Sequence, residues 1–282
     1  MTYRRATVPG SLSYGEWGDP SAPAVLAIHG ITSNHLAWAA VARALPELHI
    51  IAPDLRGRGG SRGIGAPYSM ETHAADLAGL LDHCRVPSAT VVGHSMGAFA
   101  ALAFGLRSPE RCSSTVLVDG GLPLRLPPGV SVEDTLGPAA ARLTMTFTTR
   151  DDYVQLWKVH PALAGEWTDD VAAYVDYDLV GTPPTLHSSA TVESMSRDST
   201  DLFATTEIEP ALALLAPGTQ LLTAPRGLLN TEPLYSAATL SEWEAKLPGL
   251  SVSEVPDVNH YTIVMAERGA AAVAAAVRRA VG

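Results

Sequence analysis

Basic side chains are scarce in this sequence. Nineteen lysines and arginines face 29 aspartates and glutamates, for a formal net charge of −10 over 282 residues. A field of that sign repels nucleic acid and anionic membranes, and no basic stripe offsets it. Cysteine is scarcer still. Cys84 and Cys112 lie outside any CxxC pattern and away from histidines at ligand spacing. This argues against a metal site, a disulfide and a nucleophilic thiol, and both read as free, partly buried thiols. Long apolar runs are also missing. Nothing approaches the roughly 20 residues that span a bilayer. The opening MTYRRATVPGSLSYGEWGD has basic residues with no apolar stretch behind them, so it does not read as a secretory signal. There is no internal repeat and no low-complexity tract. The expectation is a cytoplasmic protein with neither a nucleic-acid nor a membrane partner.

What is present suits a packed globule: 46% hydrophobic and 17% charged residues, in a chain long enough for one large α/β domain with a smaller insertion. Short apolar runs alternate with helical patterns. Strands are predicted at Ala24–Ile28, Ile50–Ala52, Ala89–Val92, Ser114–Val118, Thr219–Thr223 and Ser251–Val255. Their continuous apolar character indicates burial on both faces, as in a parallel sheet. Ser11–Trp17 alternates instead and reads as an antiparallel edge strand. Helices are predicted at Met70–Cys84 behind the N-cap Ser69, at Met96–Leu106, at Ser236–Leu247 and, closing the chain, at Thr262–Val281. This order predicts a mostly parallel, doubly wound α/β sheet. The rhythm breaks after Gly121. Residues 1–121 and 202–282 read as the core, and 122–201, with helices at Arg150–Val159 and Thr168–Leu179, as an inserted helical cap.

Three motifs carry chemistry. Gly93-His94-Ser95-Met96-Gly97 matches G-x-S-x-G where a strand ends and a helix begins. Such a sharp turn exposes a serine hydroxyl at a helix N-terminus, where developing negative charge is favoured. The bland alternative is a capping serine in an unreactive turn. His29-Gly30-Ile31-Thr32 follows the strand AVLAI, and the N–H groups of Ile31 and Met96 are the proposed oxyanion donors. Val258-Asn259-His260-Tyr261 follows the last strand, and a histidine there can reach across the sheet to Ser95. Its side chain suits proton transfer near neutral pH.

These elements resemble the α/β-hydrolase superfamily, over nearly the whole chain outside the cap. Asp54-Leu55-Arg56-Gly57-Arg58-Gly59-Gly60-Ser61 is similar to that family's structural D-x-R-G-x-G-x-S loop, with Arg56 and Asp54 expected to fix its shape by local pairing. The resemblance implies a Ser–His–acid triad of Ser95, His260 and a carboxylate, with no metal or cofactor. The family commonly places its acid after the strand read here at Thr219–Thr223, but Ala224–Asn230 holds no carboxylate. Some members carry it at the end of the strand before the cap, where Asp119 stands 24 positions after Ser95. Asp119 is therefore the expected acid, with Asn230 or Glu232 as alternatives; Asp257 is too near His260 along the chain.

Ile31, Met96 and Leu122 are expected to floor a closed, apolar pocket. His29, Gly30, Met145, Trp157, His187 and Tyr261 are further expected substrate contacts, with Arg150 as another polar one. The substrate expected is a small or medium apolar ester or lactone. Two other readings stand beside it: hydrolysis of a carbon–carbon bond in a diketone, and a ligand-binding protein with little turnover.

Overall fold

The chain is described by a computed structural model over residues 2–125, 132–203 and 205–282. Its first strands are β1 (Tyr3–Thr7), β2 (Ser13–Trp17) and β3 (Ala24–Ile28). Helix α1 (Ala39–Ala44), β4 (His49–Pro53), α2 (Met70–Cys84), β5 (Ala89–His94), α3 (Met96–Arg107) and β6 (Cys112–Val118) follow. A helical excursion comes next: α4 (Val132–Thr144), α5 (Arg150–Lys158), α6 (Asp169–Asp178), the ribbon β7 (Leu179–Val180) and β8 (His187–Ser188), α7 (Val192–Phe203) and α8 (Thr205–Ala213). The chain then resumes its alternation through β9 (Thr219–Thr223), α9 (Ala237–Lys246), β10 (Leu250–Glu254), α10 (Thr262–Met265) and α11 (Glu267–Val281).

The main sheet runs β1-β2-β4-β3-β5-β6-β9-β10. β1 and β2 are antiparallel to each other, and β2 to β4; the remaining pairs are parallel. The continuous apolar runs arise because alternate residues serve opposite faces. Val25 and Ala27 pack with Val41 of α1 and Val273 and Val277 of α11. Leu26 and Ile28 pack on the other side with Leu77 and Leu81 of α2 and Phe99 of α3. Each such valine, leucine, isoleucine or phenylalanine contributes roughly 1.5–3 kcal/mol by leaving water. Ser69 caps α2, accepting the Thr72 N–H at 3.1 Å.

Three expectations change. Ser11–Trp17 was expected at the edge, but β1 takes that place and β2 lies inside it. The β1 residues YRRAT are mostly exposed and include two arginines, which suits a guarded edge and hides a strand from apolar patterning. The closing helix is also split. Ala266 is extended (ψ 148°), and a Cβ on Gly269 would come within 2.4 Å of the Thr262 carbonyl, so α11 folds back tightly on α10. The cap boundary expected at residue 201 falls inside α7.

His29 lies in this core with no exposure. Its Nδ1–H donates to the Gly30 carbonyl at 2.7 Å and its Nε2 accepts the Leu55 N–H at 3.0 Å. Burial pulls its pKa down to about 4, partly opposed by the Asp54 carboxylate. An unfolded histidine titrates near 6.5. Between those values the unfolded chain takes a proton that the folded one refuses. His29 therefore favours the fold fully above pH ~6.5, and that contribution falls as pH drops toward ~4. In His29→Asn, unfolding free energies from urea titrations across this window should fall less steeply, by up to about 1.4 kcal/mol per pH unit. An unchanged slope would contradict a neutral buried His29. Leu117→Ala, fully buried in β6, should lower stability by about 2–5 kcal/mol, read as a lower urea midpoint at constant slope.

Candidate active site

The carboxyl ends of β3, β5 and β6 lie side by side in the sheet, so the loops after them meet above it. Ser95 sits at the β5–α3 bend with φ 56° and ψ −125°. For a non-glycine residue this is a strained backbone, costing on the order of 1–3 kcal/mol. Its N–H is fixed by the Val118 carbonyl at 2.9 Å. Glycines make the bend possible. A Cβ on Gly93 would lie 2.2 Å from the Gly97 carbonyl oxygen, and one on Gly97 2.1 Å from that of Ile28. Gly120 matters equally: a Cβ there would stand 2.2 Å from the Ser95 carbonyl oxygen. Motif reading passes over Gly120, because its neighbour is distant in sequence.

His260 is held through its backbone. Its N–H donates to the Arg226 carbonyl at 2.9 Å, and its own carbonyl accepts Nε2–H of His94 at 2.7 Å. Asn259 stiffens the same loop, its Oδ1 accepting the N–H groups of Tyr261 and Thr262, each at 3.0 Å. The ring then bridges two partners. Nε2 lies 3.0 Å from Ser95 Oγ, and Nδ1 lies 2.6 Å from Asp119 Oδ2. The other Asp119 oxygen accepts the Ala224 N–H at 3.1 Å. The chain after β9 thus supplies a donor that orients the carboxylate of the neighbouring strand. Asp119 itself has φ 44° and is wholly buried.

The other acid candidates lie elsewhere. Asn230 is exposed, its Oδ1 accepting from Asn259 Nδ2 at 3.2 Å. Glu232 and Asp257 are exposed, and the Asp257 carbonyl accepts from Arg268 at 2.7 Å. His94 stays neutral: burial pushes its pKa well below the usual value, and the nearby His260 ring adds to this. With its Nε2–H on the His260 carbonyl, it is a positioning group without a second positive charge.

A cavity of about 340 Å³ opens over Ser95 and His260. Ile31, Met96, Met145, Trp157 and Tyr261 line it as expected. Phe99, Leu202, Leu228 and Leu234 also line it, none of them singled out by sequence. Met145, Val159 and Leu229 are the strongly exposed apolar members and mark its mouth. Neither the Ile31 nor the Met96 N–H has an acceptor among the described residues.

Several expected contacts do not line this cavity. His29 is turned into the core by its two hydrogen bonds. Gly30 instead makes room: a Cβ there would lie 3.1 Å from Ser95 Cβ. Leu122 is buried beside Tyr235, whose hydroxyl donates to its carbonyl at 2.9 Å. His187 belongs to the β7–β8 ribbon, with Nδ1 on the Ser188 carbonyl at 2.9 Å. Arg150 is exposed and paired with Asp176. Arg56 and Asp54 do not pair with each other: Arg56 forks onto Asp76, while Asp54 accepts from His35 and Tyr177.

Two polar residues of the cap line the cavity: His160, and Arg142, which sequence spacing could not flag because its partners are remote. Burial, and then the charge of Arg142, lower the pKa of His160 below its ordinary value. Arg142 is itself buried over the Trp157 ring, 4.9 Å from its centroid. Its Nη1 reaches Asp178, Ser188 and Tyr153 at 2.9–3.0 Å, and its Nη2 the Thr32 carbonyl at 3.3 Å. Among the described residues, no cluster of three His, Cys, Asp or Glu side chains could hold a metal ion, and no helix is long and apolar enough to cross a membrane.

Comparison with known proteins agrees with this fold. The chain is 40% identical over 106 residues to lipase LipV of Mycobacterium tuberculosis, a match spanning 37% of this chain and 40% of that one. It is 37% identical over 99 residues to the 2-hydroxy-6-oxo-2,4-heptadienoate hydrolase of Pseudomonas putida, spanning 33% of this chain and 36% of the other. Both matches thus cover less than half of those relatives. Among solved structures, E-2-(acetamidomethylene)succinate hydrolase superposes with a TM-score of 0.77 at 24% identity, over 98% of this chain and 99% of that one. The sequence pattern of the α/β-hydrolase fold matches residues 23–210, and with this the chain belongs to the α/β-hydrolase family.

Proposed function

We propose that the protein hydrolyses a carboxylic ester or lactone with an uncharged, apolar acyl group, through an acyl-enzyme on Ser95. The observation that carries this reading is the unbroken hydrogen-bonded series Ser95 Oγ, His260 and Asp119, opening into an apolar cavity. Nδ1–H of His260 is committed to Asp119, which leaves Nε2 as the acceptor for the serine proton. Ser95 Oγ attacks the carbonyl carbon as its proton passes to Nε2. The carbonyl oxygen becomes an oxyanion beside the otherwise unpaired N–H groups of Ile31 and Met96. Two such donors lower the barrier, each by about 3 kcal/mol in comparable sites. The intermediate collapses, the C–O bond breaks, and Nε2 returns its proton to the leaving alcohol. Water then attacks the acyl-enzyme, giving its proton to Nε2, and the acid leaves as Ser95 regains a proton. The helical excursion acts as the cap that closes this chemistry off from bulk water.

The electrostatics of the cavity favour an uncharged acyl group. Among the described lining residues Arg142 is the one with a fixed positive charge, and Asp178 neutralises it. The same relay could cleave a carbon–carbon bond in a diketone. A carboxylate-bearing substrate of that kind, such as the name of the Pseudomonas putida relative denotes, would find no uncommitted guanidinium here. A purely ligand-binding role would make no use of the serine–imidazole contact.

Asp119→Asn should lower kcat on p-nitrophenyl butyrate by about 10³- to 10⁴-fold with the fold intact, because the imidazole loses its orienting anion. Asn230→Ala should leave kcat at the wild-type level. The reverse pattern would move the acid away from Asp119. Wild-type protein that turns over a diketone ring-cleavage product faster than the ester would replace the ester reading.

A further inference from the structure

We infer that Arg58 is a positioning residue that couples seating of the helical cap to the geometry of the oxyanion donors, through its buried ion pair with Asp198. This rests on the acyl-transfer reading above. Arg58 comes from the loop after β4 and is fully buried. Its guanidinium touches both residues whose N–H groups would hold the oxyanion. Nε donates to the Ile31 carbonyl at 2.8 Å, and Nη2 lies 3.9 Å from the Met96 sulfur. Nη1 donates to the Arg56 carbonyl at 2.8 Å and meets Asp198 at 2.7 Å.

The origin of the counter-ion gives this arrangement its consequence. Asp198 belongs to α7 of the cap and has no exposure; it also faces His73 Nε2 of α2 at 3.0 Å. A buried guanidinium without its carboxylate is costly. Arg58 is therefore neutralised in place when α7 is seated, and only then is the Ile31 carbonyl held by a settled donor. The next carbonyl repeats the pattern: Thr32 accepts from Arg142, whose counter-ion Asp178 also lies in the cap. Two successive carbonyls of the loop after β3 are thus each clamped by a buried arginine answering to a cap aspartate. A purely structural pair would be a poor explanation, since well-packed apolar residues often stabilise as much as a buried ion pair. Lysine could not substitute, because a single ammonium lacks the fork that reaches Ile31, Arg56 and Asp198 together.

The test uses p-nitrophenyl butyrate turnover, thermal melting and inhibition by an alkyl trifluoromethyl ketone, whose serine adduct carries the oxyanion. The matching methyl ketone serves as the ground-state control. Arg58→Lys, Asp198→Asn and the apolar pair Arg58→Met with Asp198→Leu are compared with wild type. The inference expects kcat to fall about 10- to 100-fold, because the donors are displaced rather than removed. KM and methyl ketone affinity should hold, and trifluoromethyl ketone affinity should fall with kcat. The apolar pair should melt cooperatively yet remain slow. Cooperatively melting variants with wild-type kcat would overturn the inference, as would losses confined to KM or proportional to the unfolded fraction. Wild-type protein that neither turns over the ester nor binds the trifluoromethyl ketone would instead overturn the acyl-transfer reading itself.

Discussion

Ser95 stands in its strained conformation because glycines occupy the positions where a side chain would collide with the bend. Gly93 and Gly97 let α3 leave the strand at once, and Gly120 leaves space for the Ser95 carbonyl. From that reversal follow the exposure of Oγ and the start of α3 immediately beneath it. The adjacency of β3, β5 and β6 does the rest, bringing the loop of Ile31 and the carboxylate of Asp119 to the same edge of the sheet. Strain of this kind persists only when the surroundings over-determine it. Here the Val118 carbonyl grips the Ser95 N–H while flanking helices bury both faces of the strand.

Around that bend the buried charges are settled in pairs. Arg58 answers to Asp198 and Arg142 to Asp178, while Asp54 accepts hydrogen bonds from His35 and Tyr177. His29 and His94, which would otherwise add positive charge, are held neutral by burial. Asp119 is thereby left as the carboxylate that answers to the imidazole of His260, and it faces no competing arginine among the described residues. In a site of low polarity, an anion orients its one ionisable partner far more strongly than it would in water. The same settlement leaves the cavity apolar, which is why an uncharged acyl group suits it.

Much of this was legible in the residues. The strands at Ala24–Ile28 and Thr219–Thr223 carry their bounds openly, because covered strands have an apolar centre and are bounded by turn residues. The G-x-S-x-G bend and the terminal histidine loop were legible for a related reason: tight backbone reversals need glycine, and few histidines follow a strand. The absence of any carboxylate over Ala224–Asn230 pointed to Asp119, and the structure places that side chain on His260. Other features left no trace. β1 is polar because it is an edge, and Ala266 breaks the last helix without a proline or glycine at the break. His29, Gly30, Leu122 and His187 looked like pocket residues from their positions near strand ends or in the cap. Which way a side chain turns there depends on distant partners such as Leu55 and Tyr235. Arg58 and Arg142 were silent for the same reason, since their counter-ions lie more than a hundred and about forty positions away respectively.

The central claim is that a covalent bond forms at the strained serine. Quenching the protein with acid during steady turnover of an activated butyrate ester, then mapping its peptides by mass, tests that claim directly. The account requires a butyryl group on the peptide bearing Ser95, at Oγ, and its absence from Ser95→Ala. Turnover with no adduct on that peptide, or with the acyl group on another side chain, would contradict it.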